Sequence, residues 1–270
     1  LRSAPLKVAE ILHEELFERQ SSIIMTSATL TRKGKADSFK QEVGVESAEE
    51  RVLKSPFDYE NNMQVSILSD FPEPQGQDRS SYLKCLVKSV DSSARAIEGG
   101  TLALFTNYAD LEYCFHNLKS SWSKLGRSVY AHGQGFSRSE LRSRMMEEGD
   151  VLLLGAESFW KGFDAKGPSL SQVILTRLPF ENPGHPIMEA KTERLEAVGK
   201  SSFMEITIPK AVIRFRQGMG RLIRSHTDVG DLLILDSRIL KKRYGVHFLN
   251  ELSNPSYKTL ELNELFEFTE

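Results

Sequence analysis

The sequence predicts an α/β fold in which a parallel β-sheet is covered by helices, and three observations predict it. Short runs rich in β-branched and aliphatic residues alternate with longer amphipathic segments. The runs are apolar without strict alternation, as strands buried on both faces are. Gly99-Gly100 ends one amphipathic segment immediately before such a run, the order expected of a helix stop and a strand start.

In chain order, Pro5 opens a helix expected to reach about Arg19, and Ser22-Ile23-Ile24-Met25-Thr26 reads as a strand. Thr31 to Lys40 is polar and reads as loop. A second strand pattern, Gln64-Val65-Ser66-Ile67-Leu68, leads into the breaker run Phe71-Pro72-Glu73-Pro74-Gln75-Gly76. A helix from Tyr82 to Ile97 follows, then strands at Thr101–Phe105, Val129–Ala131, Val151–Leu154, Val173–Thr176 and Leu232–Leu235. Ligands of open parallel sheets gather at the carboxyl ends of the strands, so chemistry is expected in the loops after Phe105, Leu154 and Thr176.

Composition narrows the class. With 40% hydrophobic and 27% charged residues in 270, a sizeable core is expected. A net charge of −2 gives no global basic signature, so contact with nucleic acid has to come from a local patch. Cys85 and Cys114 are too few and too far apart for a zinc site or a disulfide framework, and a reducing, cytoplasmic setting is expected. No apolar run approaches the roughly 18 to 20 residues of a membrane span, and the first residues lack a signal-peptide layout. His132, His185 and His226 show no metal-ligand spacing.

The most informative segment runs from Pro209 to Arg224. Ala211, Val212, Phe215, Met219, Leu222 and Ile223 recur at helical spacing, and Lys210, Arg214, Gln217, Arg221 and Arg224 fall on the opposite stripe. A solvated basic face would produce such a pattern. Gly218 and Gly220 beside the charges favour a phosphate site instead, because glycine weakens a helix and a guanidinium fork suits phosphate oxygens.

These residues carry a family resemblance. Arg216-Gln217-Gly218-Met219-Gly220-Arg221-Leu222-Ile223-Arg224 resembles the QxxGRxxR motif VI of superfamily 2 helicases in its DinG/XPD form. Thr26-Ser27-Ala28-Thr29-Leu30 resembles motif III, Phe105-Thr106-Asn107-Tyr108 motif IV, and Ser158-Phe159-Trp160-Lys161-Gly162-Phe163-Asp164 motif V. The proline-punctuated run Arg177 to Pro186 resembles a loop of the same branch.

The resemblance implies a RecA-like second motor lobe over residues 58–270, preceded by the end of the first lobe and a connector over 1–57. It implies that Arg221 and Arg224 reach a γ-phosphate across the interlobe cleft, with Gln217 in the same network and Arg224 the arginine finger. It places Gly162, Asp164 and Gly220 at the nucleotide, and Thr106, Asn107, Tyr108, Ser158, Phe159 and Trp160 on single-stranded DNA. Ser27, Ala28 and Thr29 would couple nucleotide state to DNA grip. Two local readings stay open beside these: Thr106 and Asn107 can cap a helix, and Phe159 and Trp160 can pack in the core. Lys161 stands where the branch has an acidic residue.

The chain lacks the phosphate-cradling GxxxxGK[ST] loop and the acidic magnesium box of a complete motor. Gly199-Lys200-Ser201 has Arg194 where the leading glycine belongs. ATP and Mg are therefore expected mostly on an amino-terminal motor lobe, the second partner beside single-stranded DNA. The iron-sulfur cluster of many relatives sits in that other lobe and has no cysteine set here. The competing reading is a stand-alone module that binds nucleic acid or protein without ATPase activity. Clustered carboxylates for metal-dependent nuclease chemistry are not apparent.

Overall fold

The computed structural model describes residues 5–267 except 28, 32, 33, 77, 161, 164, 166–168, 182, 183, 185 and 253–255. The chain divides into two compact units, Leu1–Ser55 with Asn182–Glu205, and Pro56–Glu181 with Ile206–Glu270. The sequence reading runs 58–270 as a single domain, whereas residues 182–205 group with the first unit.

The larger unit is built on one seven-stranded sheet: β1 (Met63–Leu68), β2 (Thr101–Phe105), β3 (Ser128–Ala131), β4 (Val151–Ala156), β5 (Gln172–Leu175), β6 (Gly230–Ile234) and β7 (Tyr257–Leu260). Their order is β3-β4-β2-β5-β6-β1-β7, and every pairing is parallel. Central strands β2, β4 and β5 are buried at every residue, as continuous apolar runs require. Strand β7 escapes a pattern search because Lys258 and Thr259 are exposed and only its ends turn inward.

Four helices supply most of the cover: α1 (Arg79–Arg95), α2 (Tyr108–Lys124), α3 (Arg138–Glu148) and α4 (Ile208–Met219). Asp78 caps α1 and Asn107 caps α2. Ser137 and Glu140 form a reciprocal capping box on α3. The two sheet faces bury separate clusters. One gathers Leu104, Phe159, Trp160, Phe163, Phe215 and Phe248, the other Phe71, Tyr82, Phe105, Phe115 and Trp122.

Three sequence expectations are corrected. The helix expected from Pro209 to Arg224 ends at Met219, and Gly220 closes it with φ −68° and ψ 5°. Arg221 and Arg224 thus leave the helical stripe, although Leu222 and Ile223 stay buried and continue the apolar pattern. Ser22–Thr26 is not a strand: a strand needs a neighbour to pair its backbone, and this run forms neither strand nor helix and leaves Ile24 86% exposed. The amino-terminal helix is shorter than expected, Ala9–Leu12 followed by a π-turn at His13–Phe17.

At the carboxyl end of β6 the buried Asp236 carboxylate accepts from the Leu178 amide at 2.8 Å and from Arg238 Nε at 2.8 Å and Nη2 at 2.6 Å. It joins the loop after β5 to the loop after β6. Asp236→Ala leaves a largely buried guanidinium without its counter-charge and should destabilise the larger unit by about 3–5 kcal/mol. Urea denaturation measures this, and a loss below about 1 kcal/mol contradicts it.

Candidate functional site

Because β4, β2 and β5 are adjacent and parallel, the loops that leave them emerge side by side at one edge of the sheet. Strand β4 ends in a sharp turn at Glu157, the only described non-glycine residue with positive φ, at 31°. A 3-10 turn over Glu157–Phe159 then drives two aromatic rings into the core. Gly155 admits the first of them, since a Cβ there would sit 2.6 Å from Phe159 Cβ.

Trp160 is fully buried, and its indole Nε1 donates to the Phe105 carbonyl at 2.9 Å. Helix α4 lies against this ring at Gly218, where a Cβ would come within 2.8 Å of Cζ3. Arg214, one turn earlier, holds its guanidinium carbon 5.7 Å from the indole centroid. Phe159 packs on His132 at 5.0 Å and on Phe163 at 4.9 Å. Both rings are enclosed on all sides, so the expectation that they stack on bases is corrected to core packing.

Beyond α4 the chain folds back onto the loop after β4. Arg221 is 9% exposed and donates from Nε to Gln217 O at 2.9 Å, from Nη1 to Phe163 O at 2.9 Å and from Nη2 to Trp160 O at 3.1 Å. Arg224 is half-buried and donates from Nη2 to the same Phe163 carbonyl at 3.2 Å. Gln217 Oε1 and Arg214 Nε are buried and have no hydrogen-bond partner among the described residues. Buried polar atoms of that kind cost free energy unless something satisfies them. Gly220 caps the helix, and Gly162 has φ 72° with Arg138 Nη2 3.0 Å from where a Cβ would stand. Lys210 pairs with Glu181 at 3.2 Å. Ala28 and Asp164 lie outside the described residues.

At the carboxyl end of β2, Thr106 and Asn107 are half-buried and Tyr108 is 42% exposed. Asn107 Oδ1 accepts the Ala109 amide at 2.7 Å, so capping is one of its roles. The Tyr108 hydroxyl pairs with His132 Nδ1 at 3.1 Å. Ser158 is half-buried in the turn after β4. Ser27 and Thr29, in the smaller unit, bond each other through their hydroxyls at 3.1 Å.

Sequence reasoning missed the group beside motif IV. Asp110, buried in the first turn of α2, pairs with both Arg79 and Arg177, and Arg177 Nε donates to the Tyr82 hydroxyl at 2.8 Å. Both guanidinium carbons lie over the Tyr82 ring, at 5.0 and 4.9 Å. No local spacing signals it, because Asp110 and Arg177 lie about 30 and 100 residues along the chain from the Arg79–Tyr82 pair.

The all-parallel sheet flanked by helices is of the RecA-like class, with cationic and amide groups gathered at its carboxyl edge. The chain belongs to the helicase C-terminal domain family, whose model matches residues 90–255. It is 34% identical over 264 residues to the 3'-5' exonuclease DinG of Bacillus subtilis, covering 97% of this chain and 28% of that protein. It is 31% identical over 268 residues to the ATP-dependent DNA helicase YoaA of Escherichia coli, covering 99% of this chain and 41% of that protein. A solved XPD helicase superposes with a TM-score of 0.69 at 15% identity, over 95% of this chain and 45% of that one, and shares its fold. The chain spans well under half the length of these curated relatives.

Burial pushes the Tyr82 hydroxyl up to about 12, against the lowering influence of Arg177. A folded-state value above the unfolded one stabilises fully below pH ~10 and loses its contribution as pH rises through the folded value. Stability should therefore fall between pH 10 and about 12, by about 2–3 kcal/mol from this group. Tyr82→Phe should flatten that decline in alkaline unfolding titrations. An unchanged slope would sink the assignment.

Proposed function

We propose that this chain is the second motor lobe of an ATP-dependent DNA helicase of the DinG/XPD type. The single observation that carries the reading is the Phe163 carbonyl, which accepts from Arg221 and Arg224 together and draws both motif VI arginines onto the motif V loop. The donor set fits a polyphosphate: guanidinium groups match phosphate oxygens, and the partnerless Arg214 Nε adds a further buried donor. ATP with Mg, which the first lobe would mainly hold, would supply the phosphoanhydride whose cleavage drives movement. Arg224 stabilises the negative charge that develops on the transferring group, Arg221 fixes the loop beneath it, and Gln217 completes the network. Gly162 and Gly220 let backbone approach the nucleotide, and the family resemblance adds Asp164 as a nucleotide-binding residue.

Single-stranded DNA would cross the carboxyl edge of the sheet on Thr106, Asn107, Tyr108 and Ser158, whose hydroxyl and amide groups suit phosphate contacts without sequence readout. Residues 1–57 complete the first lobe and connect it, with Ser27, Ala28 and Thr29 as its coupling segment. The exposed run at Ile24 supports this, since it has the composition of a strand and lacks ladder partners among the described residues. Among those residues no helix is long and apolar enough to cross a membrane, and no group of His, Cys, Asp and Glu is placed to hold a metal ion.

In the intact protein, Arg224→Ala should lower DNA-stimulated ATP turnover by about 10³-fold or more while leaving KM for ATP within a few-fold. The 270-residue chain alone should show no turnover. Turnover by this chain that disappears on Arg224→Ala would overturn the half-site reading. Tyr108→Ala should weaken single-stranded DNA binding by roughly 1–3 kcal/mol in a fluorescence titration, with ATP turnover at saturating DNA preserved. Unchanged affinity removes Tyr108 from the track.

A further inference from the structure

The arginine loop has a second anchor that no motif assigns. Asp228 is 8% exposed, and its Oδ2 accepts the backbone amides of Arg224 and Ser225, both at 2.8 Å. Its Oδ1 accepts the Ser225 hydroxyl at 2.7 Å. That hydroxyl also lies 3.1 Å from Thr227 Oγ1 and accepts the Thr227 amide at 3.3 Å. One carboxylate thus closes the turn Arg224–Asp228 on itself. One of the two amides it holds belongs to the residue whose side chain carries the proposed phosphate contact.

The opposite side of the turn is braced as well. Asn62 Nδ2 donates to the His226 carbonyl at 3.3 Å, and the Phe57 ring meets His226 edge-on at 5.7 Å. Arg224 stands between the helix end at Gly220 and this closed turn. Without Asp228 two half-buried amides would lose their acceptor, and the turn would trade its single geometry for several.

We propose that Asp228 is a positioning residue for the arginine finger. It touches neither nucleotide nor DNA in this reading; it fixes the backbone from which Arg224 projects. The proposal rests on the second-lobe reading above, and it adds a residue that acts on turnover only through Arg224. Misplacing a charge-stabilising group by about 1 Å is enough to cost on the order of a hundredfold in rate, so the requirement for such an anchor is physical.

The test is a double-mutant cycle on DNA-stimulated ATP hydrolysis in the intact two-lobe protein. Asp228→Ala should lower kcat about tenfold or more, with KM for ATP and single-stranded DNA affinity within about twofold. In an Arg224→Ala background the same change should do nothing further, because its route is already cut. Asp228→Asn should restore most of the rate, since its carbonyl oxygen still accepts both amides and its Nδ2 can donate to Ser225 Oγ. Ser225→Ala, which keeps both backbone bonds, provides a gentler probe should the alanine variant melt early. It should lower kcat about two- to fivefold, again only when Arg224 is present. Additive losses in the Arg224→Ala background, or an Asn variant as slow as the Ala variant, would overturn the positioning role. If Arg224→Ala itself leaves turnover intact, the second-lobe reading fails first, and the two failures are thereby distinguished.

Discussion

The buried indole of Trp160 is the contact on which the site depends. Its Nε1 holds the end of β2 through the Phe105 carbonyl, its six-membered ring meets α4 at Gly218, and the backbone carbonyl of Trp160 accepts from Arg221. Three segments distant in sequence are thereby fixed at one place: the end of β2, the turn after β4 and the end of α4. No smaller side chain would bridge them, and any side chain at position 218 would push the helix off the ring.

Reaching that arrangement costs strain. Glu157 holds φ at 31°, a conformation that disfavours L-residues by about 1–3 kcal/mol. The turn it makes buries Phe159 and Trp160 completely, and each large apolar side chain so enclosed contributes about 1.5–3 kcal/mol. Burial therefore outweighs the strain, and the outlier persists at the loop that carries the motif V residues. The rings in that motif serve the scaffold, while its backbone carbonyls serve the arginines.

Much of the fold was legible because the central strands are continuous apolar runs, the pattern of strands buried on both faces. Strand β7 was not, since its two exposed middle residues erase the signal, and Ser22–Thr26 misled because strand composition does not supply a pairing partner. The helix end was hidden for a different reason. Leu222 and Ile223 keep the helical apolar period while the backbone has already turned at Gly220, so periodicity reported burial correctly and conformation wrongly. The wealth of cations and the Gln217 amide between Pro209 and Arg224 was visible from residue types, whereas helical spacing placed Arg221 and Arg224 on a stripe they do not join. Asp110 with its two arginines, and Asp228 with its two amides, were not, because a short acidic side chain in a polar stretch has no sequence signature of what it will bond.

The shared carbonyl of Phe163 also explains why the arginine loop cannot be treated as an independent arm. A carbonyl oxygen offers two lone pairs, and both are directed at guanidinium groups, one from Arg221 and one from Arg224. A displacement of the motif V loop moves the acceptor of both at once, and Arg221, held additionally by Gln217 and Trp160, transmits it to the end of α4. A strand of DNA lying on the motif IV and V loops would meet backbone that is one hydrogen bond from Arg224. On the proposed reading, a nucleic-acid track at Ser158 and a phosphate-facing Arg224 would be linked by a short path, because Arg224 bonds the Phe163 carbonyl in the loop that follows Ser158.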